Sequence, residues 1–125
     1  NSGAQPFPER QMAALEQLLT AIMRRWAIGP QGVIAHSDMA PGRKSDPGPR
    51  FDWRRLARAG LSIWPAAPGN PAAPFGPSLD AIGYPVSPDR LMAFRLRFRP
   101  WAQGPESPDD RAQADAVARL LCETA

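Results

Sequence analysis

The stretch HSDMAPGRKSDPGP, residues 36–49, is the part of the chain from which fold and chemistry are best inferred. It holds the one histidine of the sequence, His36, and the one lysine, Lys44, and five of its residues are proline or glycine. Because proline and glycine limit the backbone to few conformations, such a loop can hold polar side chains in fixed positions. We therefore expect this loop to carry the functional groups.

The three residues before the loop, Val-Ile-Ala at 33–35, are mostly β-branched, which is typical of a short buried strand. His36 would then follow the C-terminal end of a strand, where the loops of open α/β sheets carry binding sites. A strand needs a partner for its backbone donors and acceptors, and the nearest second candidate, residues 61–64, is short and precedes a proline. The sequence thus predicts an α/β (α+β) fold, and residues outside this chain must complete its sheet.

The loop also contains residue types that bind metals. His36 and Asp46 are ten positions apart, and imidazole and carboxylate are both common zinc ligands. Lys44 precedes Asp46 by two residues, so its ammonium group would lie near the metal and stabilise a developing oxyanion. The alternative is structural: His36 caps a strand and Asp46 opens a turn.

The longer string HSDMAPGRKSDPGPRFDW, residues 36–53, closely resembles the signature of zinc-dependent N-acetylmuramoyl-L-alanine amidases of the AmpD/AmiD type, relatives of the peptidoglycan recognition proteins. The match is dense across residues 33–64. The resemblance implies a mixed sheet with flanking helices, and hydrolysis of the amide between N-acetylmuramic acid and L-alanine in peptidoglycan or anhydro-muropeptides. It implies a bacterial enzyme of the cell envelope, the periplasm being favoured and the cytoplasm left open.

The same resemblance implies roles for residues of the loop. His36 and Asp46 would bind Zn²⁺, and Lys44 would stabilise charge on the tetrahedral intermediate. Three further residues would shape the loop or support the ligands, namely Ser37, Asp38 and Arg43. The family also has a second zinc histidine and a catalytic glutamate upstream, which this chain lacks. We therefore expect the chain to need the missing N-terminal half of the fold, in one polypeptide or as a nicked fragment, and to be inactive alone.

Composition and the resemblance together divide the chain into three segments. Residues 1–64 form the C-terminal half of the amidase domain, residues 65–74 a proline-rich linker, and residues 75–125 a small unit of three helices. The last unit resembles the small peptidoglycan-binding domain that follows some of these amidases, through LDAIGY at 79–84 and AFRLRFRP at 93–100. Five of its side chains would contact sugar or acidic peptide, or else pack internally: Tyr84, Arg95, Arg97, Arg99 and Trp101.

Two helices are predicted before the linker. The first spans residues 8–26, with an apolar face formed by Met12, Leu15, Leu19, Ile22 and Trp26. The second runs to about residue 59, with Asp52 as N-cap and Gly60 after its end. It carries three arginines that would either face solvent or attract an anionic polymer: Arg54, Arg55 and Arg58.

Composition excludes several other classes of protein. The net charge is +3 and the pI about 10.0, which favours anionic surroundings without identifying a partner. One cysteine, Cys122, forms no internal disulfide, and no stretch approaches the about 20 apolar residues of a membrane span. No phosphate-binding loop, nucleophile elbow or nucleic-acid-binding signature is present. The competing hypothesis to a hydrolase is a non-catalytic fragment that binds the cell wall.

Overall fold

The computed structural model describes residues 5–124, so the predicted segments 1–64 and 75–125 extend slightly beyond it. Helices are the regular elements of this part of the chain: α1 (Glu9–Trp26), α2 (His36–Met39), α3 (Trp53–Arg58), α4 (Phe75–Ile82), α5 (Arg90–Phe98) and α6 (Pro108–Thr124). A single 3₁₀ turn, Pro30–Gly32, lies between α1 and α2. Among the described helices, none combines the length and the apolar character that crossing a bilayer requires.

The predicted α/β (α+β) fold is wrong for this chain, because residues 5–124 contain no strand. Residues 33–35 are extended, as the torsion angles at Val33 and Ala35 show, but their polar groups bond elsewhere. The carbonyl oxygen of Val33 accepts from Ser62 Oγ at 2.9 Å, and the amide of Ala35 donates to Asp38 Oδ2 at 2.9 Å. Since side chains satisfy these groups, the segment is stable without a sheet, and His36 begins a helix instead of following a strand.

The first predicted helix is confirmed as α1, and its predicted packed face is confirmed in part. Met12 is buried and Leu19 packs beside it, as expected, whereas Ile22 and Trp26 are exposed and Met23 is buried in their place. The packed face therefore departs from the prediction towards the C-terminal end of the helix, and it includes Glu16. A charged residue on a packed face breaks the apolar pattern, which is why the pattern alone misplaced this end of the stripe.

Glu16 belongs to an ion-pair cluster between α1 and α3. Arg55 donates from Nε to Glu16 and from Nη1 and Nη2 to Glu9, the last bond being 2.9 Å. Arg55 therefore packs between α1 and α3. The prediction that it faces solvent is wrong. Asp52 is the N-cap of α3, as expected, because its Oδ1 accepts from the Arg55 amide at 3.0 Å. Gly60 follows the helix with φ +74°.

Two hydrophobic clusters organise the chain and meet at Trp64. The first joins α1 and α3 and is formed by Met12, Met23, Ala35, Trp53, Leu56 and Leu61. The second joins α4, α5 and α6, as the three-helix prediction requires, and is formed by Phe75, Leu79, Tyr84, Ala93, Phe94, Phe98, Ala114 and Val117. Trp64 packs against both clusters. Residues of the two predicted units are thus in direct contact.

Residues 65–74 contain no helix, as their four prolines predict, and they pack along α6. Gly69 N donates to the Ala112 carbonyl at 3.0 Å, and Asn70 N donates to Asp115 Oδ2 at 2.8 Å. Arg111 Nε in turn donates to the Pro71 carbonyl at 3.0 Å. Hydrogen bonds from both the backbone and the side chains of α6 therefore hold the backbone of this segment in place.

The N-terminus of α6 is closed by a reciprocal cap. Asp110 N donates to Ser107 Oγ at 3.3 Å, and Ser107 N donates to Asp110 Oδ2 at 2.9 Å. The same carboxylate, which is fully buried, accepts from Arg95 Nη2 at 2.6 Å and from Arg99 Nη1 at 2.5 Å. Burial alone would raise the pKa of Asp110, but the bonds from Arg95, Ser107 and Arg99 outweigh it and lower the pKa to about 2.

Replacing Asp110 by alanine should strongly destabilise the chain. The change removes a helix cap and leaves Arg95 buried without its counter-charge, so we expect a loss of about 3–5 kcal/mol in the free energy of unfolding. Urea titration at pH 7 measures this loss. The matched control is Asp109→Ala at the neighbouring exposed position, which should cost less than about 0.5 kcal/mol. Equal effects of the two variants would contradict the assignment.

The low pKa of Asp110 also predicts a pH dependence. The carboxyl titrates near 3.9 when unfolded and near 2 when folded, so its stabilising effect is present above pH 4 and is lost as the pH falls towards 2. The full shift corresponds to about 2–3 kcal/mol, of which about 2 kcal/mol is lost by pH 2. The stability difference between wild type and Asp110→Asn, measured by urea titration, should therefore shrink by about that amount between pH 5 and pH 2. A constant difference over this range would contradict the prediction.

Candidate functional site

His36 and Asp46, the two predicted metal ligands, lie side by side. His36 Nδ1 is 3.1 Å from Asp46 Oδ2, and both side chains are open to solvent, with exposures of 42% and 65%. Two donors bound to one tetrahedral zinc at about 2.0–2.2 Å would be about 3.4 Å apart. The observed separation is close to that value, so the donor atoms fit a shared metal as well as a direct hydrogen bond.

The short helix α2 positions the imidazole. His36 is its first residue, and the preceding Ala35 is extended, so the chain turns sharply there. Asp38 caps this turn through the bond from Ala35 N to its Oδ2. Ser37 is buried, and its amide donates to the Asp46 carbonyl at 3.2 Å, which fastens the end of the loop to its beginning. Ser37 and Asp38 therefore shape the loop around the two candidate ligands.

The central part of the loop lies against α5. The amides of Arg43 and Lys44 both donate to the Ala40 carbonyl at 3.1 Å, which forms a tight turn. Both residues line a cavity of about 110 Å³ together with Met92 and Leu96 of α5. Their side chains are exposed, so the Lys44 ammonium group is open to solvent.

Glycine is required at one position of this loop. Gly42 has φ +78°, a backbone conformation that L side chains rarely adopt. A Cβ atom there would also collide with the Asp89 carboxylate, at the start of α5. The loop and α5 therefore approach more closely than any other residue would allow.

A buried polar network connects α2 to the second cluster. Tyr84 donates its hydroxyl to Asp38 Oδ1 at 2.5 Å, and Arg97 Nε lies 3.9 Å from Asp38 Oδ2. Arg97 is 2% exposed and donates from Nη2 to Ser62 Oγ at 3.0 Å and to the Ile63 carbonyl at 2.9 Å. The cap that positions His36 is thus itself held by residues from α5 and from the end of α4.

Burial dominates the electrostatics of this network. It raises the pKa of Asp38, although the bonds from Tyr84 and Ala35 and the charge of Arg97 oppose the shift. Burial and the Asp38 charge raise the pKa of Tyr84 well above 10. Burial also lowers the pKa of Arg97 to about 10, against the opposing charges of Asp38 and Tyr84. At neutral pH the network therefore contains a neutral phenol and a protonated guanidinium around one carboxyl group.

The structure separates the predicted site residues into three groups. His36, Asp46 and Ser37 come together in the loop, and Arg43 and Lys44 lie at its exposed side. Tyr84, Arg95 and Arg97, which were open to sugar contact or packing, are buried. Within residues 5–124, no cluster of three or more His, Cys, Asp or Glu side chains is arranged to bind a metal.

The sequence analysis did not find the pairing of Tyr84 and Arg97 with Asp38. The two residues are 46 and 59 positions away from Asp38 along the chain, and no local pattern links them. The only signal in the sequence was its one tyrosine, Tyr84, which follows Gly83. Such a pair indicates a buried aromatic residue but does not identify the partner of its hydroxyl group.

Comparison with known proteins supports the resemblance. Residues 1–49 match the family described as N-acetylmuramoyl-L-alanine amidase. AmiD of Escherichia coli is 37% identical over 94% of this chain and 49% of its own length, and AmpD of Haemophilus influenzae is 40% identical over 43% of this chain and 30% of its own length. The chain therefore spans about half the length of AmiD and a smaller share of AmpD.

Two solved structures share the fold of the chain. The complex of E. coli AmiD with the substrate anhydro-N-acetylmuramic acid-L-Ala-D-gamma-Glu-L-Lys superposes with a TM-score of 0.77 at 35% identity, covering 92% of this chain and 53% of that one. AmpDh3 of Pseudomonas aeruginosa in complex with anhydromuramic pentapeptide superposes with a TM-score of 0.83 at 27% identity, covering 94% and 55%. The similarity thus extends through the helices that follow the matched family region.

The link between Asp38 and Tyr84 can be tested by a double-mutant cycle. We expect Tyr84→Phe to lower the free energy of unfolding by about 1.5–3 kcal/mol, because a buried hydrogen bond to a charged group is lost. Combined with Asp38→Asn, the two effects should not add, and the coupling energy should exceed about 0.5 kcal/mol. Urea titration of the wild type, both single variants and the double variant gives this energy. Additive effects would show that the two side chains do not interact.

Proposed function

Because residues 1–49 match the N-acetylmuramoyl-L-alanine amidase family and the chain is homologous to AmiD, we propose that it is part of a zinc hydrolase. The hydrolase would cleave the amide between the lactyl group of N-acetylmuramic acid and L-alanine. The observation that carries this proposal is the approach of His36 Nδ1 to Asp46 Oδ2. Two solved relatives contain anhydromuropeptides, which supports this class of substrate.

His36 and Asp46 would hold Zn²⁺ together with a third ligand from outside this chain. A catalytic zinc site usually has three protein ligands and one open position, and the described residues supply two that fit. When bound, the metal would polarise the carbonyl group and lower the pKa of a water molecule. The general base would also lie outside the chain, so residues 1–125 alone are expected to be inactive.

Lys44 would stabilise the negative charge that develops on the carbonyl oxygen during attack. Its side chain is exposed, two residues from Asp46, on a loop that is fixed against α5. A preorganised cation at this position needs little rearrangement when the charge appears. Ser37 and Asp38 would act by holding the backbone of the loop and the orientation of His36.

The remainder of the amidase fold would cover an apolar surface on the first part of the chain. Large apolar side chains are exposed there, with Met39 at 67% and Trp26 at 66%; the others are Leu18, Ile22, Ile28 and Ile34. A surface of this kind on residues that match only part of a longer family is best explained by burial against the part of the fold that lies outside this chain. The missing half would come from the same polypeptide or from a nicked fragment, which intact-mass spectrometry of the natural protein distinguishes.

The cell envelope is the proposed location, with the periplasm favoured, since the substrate class is a cell-wall component. The competing function is cell-wall binding without hydrolysis. Retention on purified sacculi without release of L-alanine-terminated peptide from the full-length parent would favour that alternative. Hydrolysis of anhydro-N-acetylmuramic acid-L-Ala-D-gamma-Glu-L-Lys by the parent would favour the amidase.

Substitutions in the full-length parent test the proposed roles of His36, Asp46 and Lys44. His36→Ala and Asp46→Ala should each remove bound zinc, measured by mass spectrometry of the metal, and abolish release of the L-alanine amine. Lys44→Ala should retain zinc while lowering kcat by about 10²–10³-fold, because it removes one group that stabilises the oxyanion.

The matched control is Ser45→Ala, which changes an exposed residue between Lys44 and Asp46. It should leave zinc content and kcat within about twofold of the wild type, as exposed substitutions commonly do. If the His36 or Asp46 variant keeps both its zinc and its activity, the proposed metal site is wrong. If Lys44→Ala loses zinc as well as activity, its role is structural and not catalytic.

A further inference from the structure

The three-helix unit contacts the segment that carries the candidate zinc ligands. The Tyr84 hydroxyl donates to Asp38 Oδ1, and the Arg97 guanidinium group lies near the same carboxylate. Asp89, at the start of α5, lies against Gly42. The proposed function assigns none of these helical residues a part in holding a metal. Their contacts with the loop therefore call for a role of their own.

One turn of backbone sets the positions of both candidate ligands. The amide of Ala35 donates to Asp38 Oδ2 at 2.9 Å, and the amide of Ser37 donates to the Asp46 carbonyl at 3.2 Å. His36 lies between these two amides in the chain. A rotation of the turn would therefore move the imidazole and the end of the loop together, and would change the 3.1 Å separation of His36 Nδ1 and Asp46 Oδ2.

The Asp38 carboxylate is shared between this turn and the three-helix unit. Its Oδ2 accepts from the Ala35 amide, while its Oδ1 accepts from the Tyr84 hydroxyl at 2.5 Å. The Asp38 side chain is only 11% exposed, so water would poorly replace a lost partner. Without the hydroxyl group, the carboxylate would rotate towards another donor and release the amide. Tyr84 thus fixes the orientation in which Asp38 caps α2.

Arg97 holds the other side of this carboxylate from a fixed position. Its Cζ lies 3.9 Å from the centre of the Trp53 ring and 4.4 Å from that of Phe98. Its Nη2 donates to Ser62 Oγ at 3.0 Å, which leaves Nε 3.9 Å from Asp38 Oδ2. Because the guanidinium group is held on its faces and at its edge, its charge attracts the buried carboxylate without the group having to move.

We infer that Tyr84 and Arg97 are positioning residues of the zinc site, acting through Asp38 on the turn that carries His36. The inference rests on the proposed function, since it requires a metal at His36 and Asp46. Neither residue is a ligand or a catalytic group. By keeping the two ligands preorganised, they raise the affinity for Zn²⁺. The three-helix unit thereby acts on the metal site itself.

The test is the zinc affinity of the full-length parent, measured by competition with a chromogenic chelator. Tyr84→Phe removes the hydroxyl group and keeps the ring, and should raise the Kd for zinc by about tenfold. If the wild type binds zinc and this variant binds it equally tightly, the inference is wrong and the proposed function stands. If the wild type binds no zinc, the proposed function is wrong and the inference fails with it.

A control variant separates positioning from a general loss of stability. Val117, fully buried in α6, belongs to the same hydrophobic cluster as Tyr84. Val117→Ala should lower the midpoint of urea unfolding, as Tyr84→Phe does, yet leave the Kd for zinc within about twofold of the wild type. Both variants are almost entirely folded without urea, so lost stability alone does not change the Kd. An equal rise in Kd in both variants would overturn the inference.

Two further variants test whether the effect passes through Asp38. Arg97→Lys keeps the charge but loses the planar group that bonds to Ser62, and should weaken zinc binding by about threefold or more. This variant decides the question if circular dichroism shows that Tyr84→Phe is unfolded. In the double variant of Tyr84→Phe with Asp38→Asn, the two fold-changes in Kd should not multiply, because both act on one carboxylate. Multiplication of the two effects would overturn the inference.

Discussion

The buried guanidinium group of Arg97 is the interaction on which the arrangement of this chain depends. It lies between the two clusters, with its Cζ 3.9 Å from the centre of the Trp53 ring and 4.4 Å from that of Phe98. Nη2 bonds to Ser62 and to the Ile63 carbonyl, while Nη1 has no hydrogen-bond partner among residues 5–124. Moving a cation out of water costs several kcal/mol, and the low pKa of Arg97 reflects this cost. The aromatic faces, the carbonyl and Asp38 together offset it.

This constraint makes the loop of His36 and Asp46 dependent on the helices that follow it. Asp38 caps α2 and bonds to Tyr84, and the loop at Gly42 lies against Asp89. His36 is therefore positioned by contacts with residues that lie more than 40 positions further along the chain. The linker does not separate the two predicted units, because residues 63 and 64 pack directly against the second cluster. These contacts stiffen the loop in which His36 Nδ1 and Asp46 Oδ2 lie 3.1 Å apart.

Local signals were predicted correctly, and distant pairings were not. Asp52 and Gly60 each act within four residues of their partners, so sequence alone identified both ends of α3. The predicted strand failed because residues 33–35 satisfy their backbone groups through Ser62 and Asp38. The sequence analysis thus failed mainly for contacts between residues far apart along the chain, and less often for local patterns.

Charged residues were the main source of error in predicting the core. Arg55 was expected to face solvent or attract a polymer, and Arg95 and Arg97 were left open, yet each packs between elements. Arginine suits this use because its planar group stacks on rings and bonds along its edge at the same time. Lysine cannot do both, since its ammonium group is a compact and strongly hydrated charge. A chain with fourteen arginines and one lysine therefore uses guanidinium groups for structure. Its single lysine lies on the loop of His36 and Asp46, where the proposed role of its compact charge is to stabilise an oxyanion.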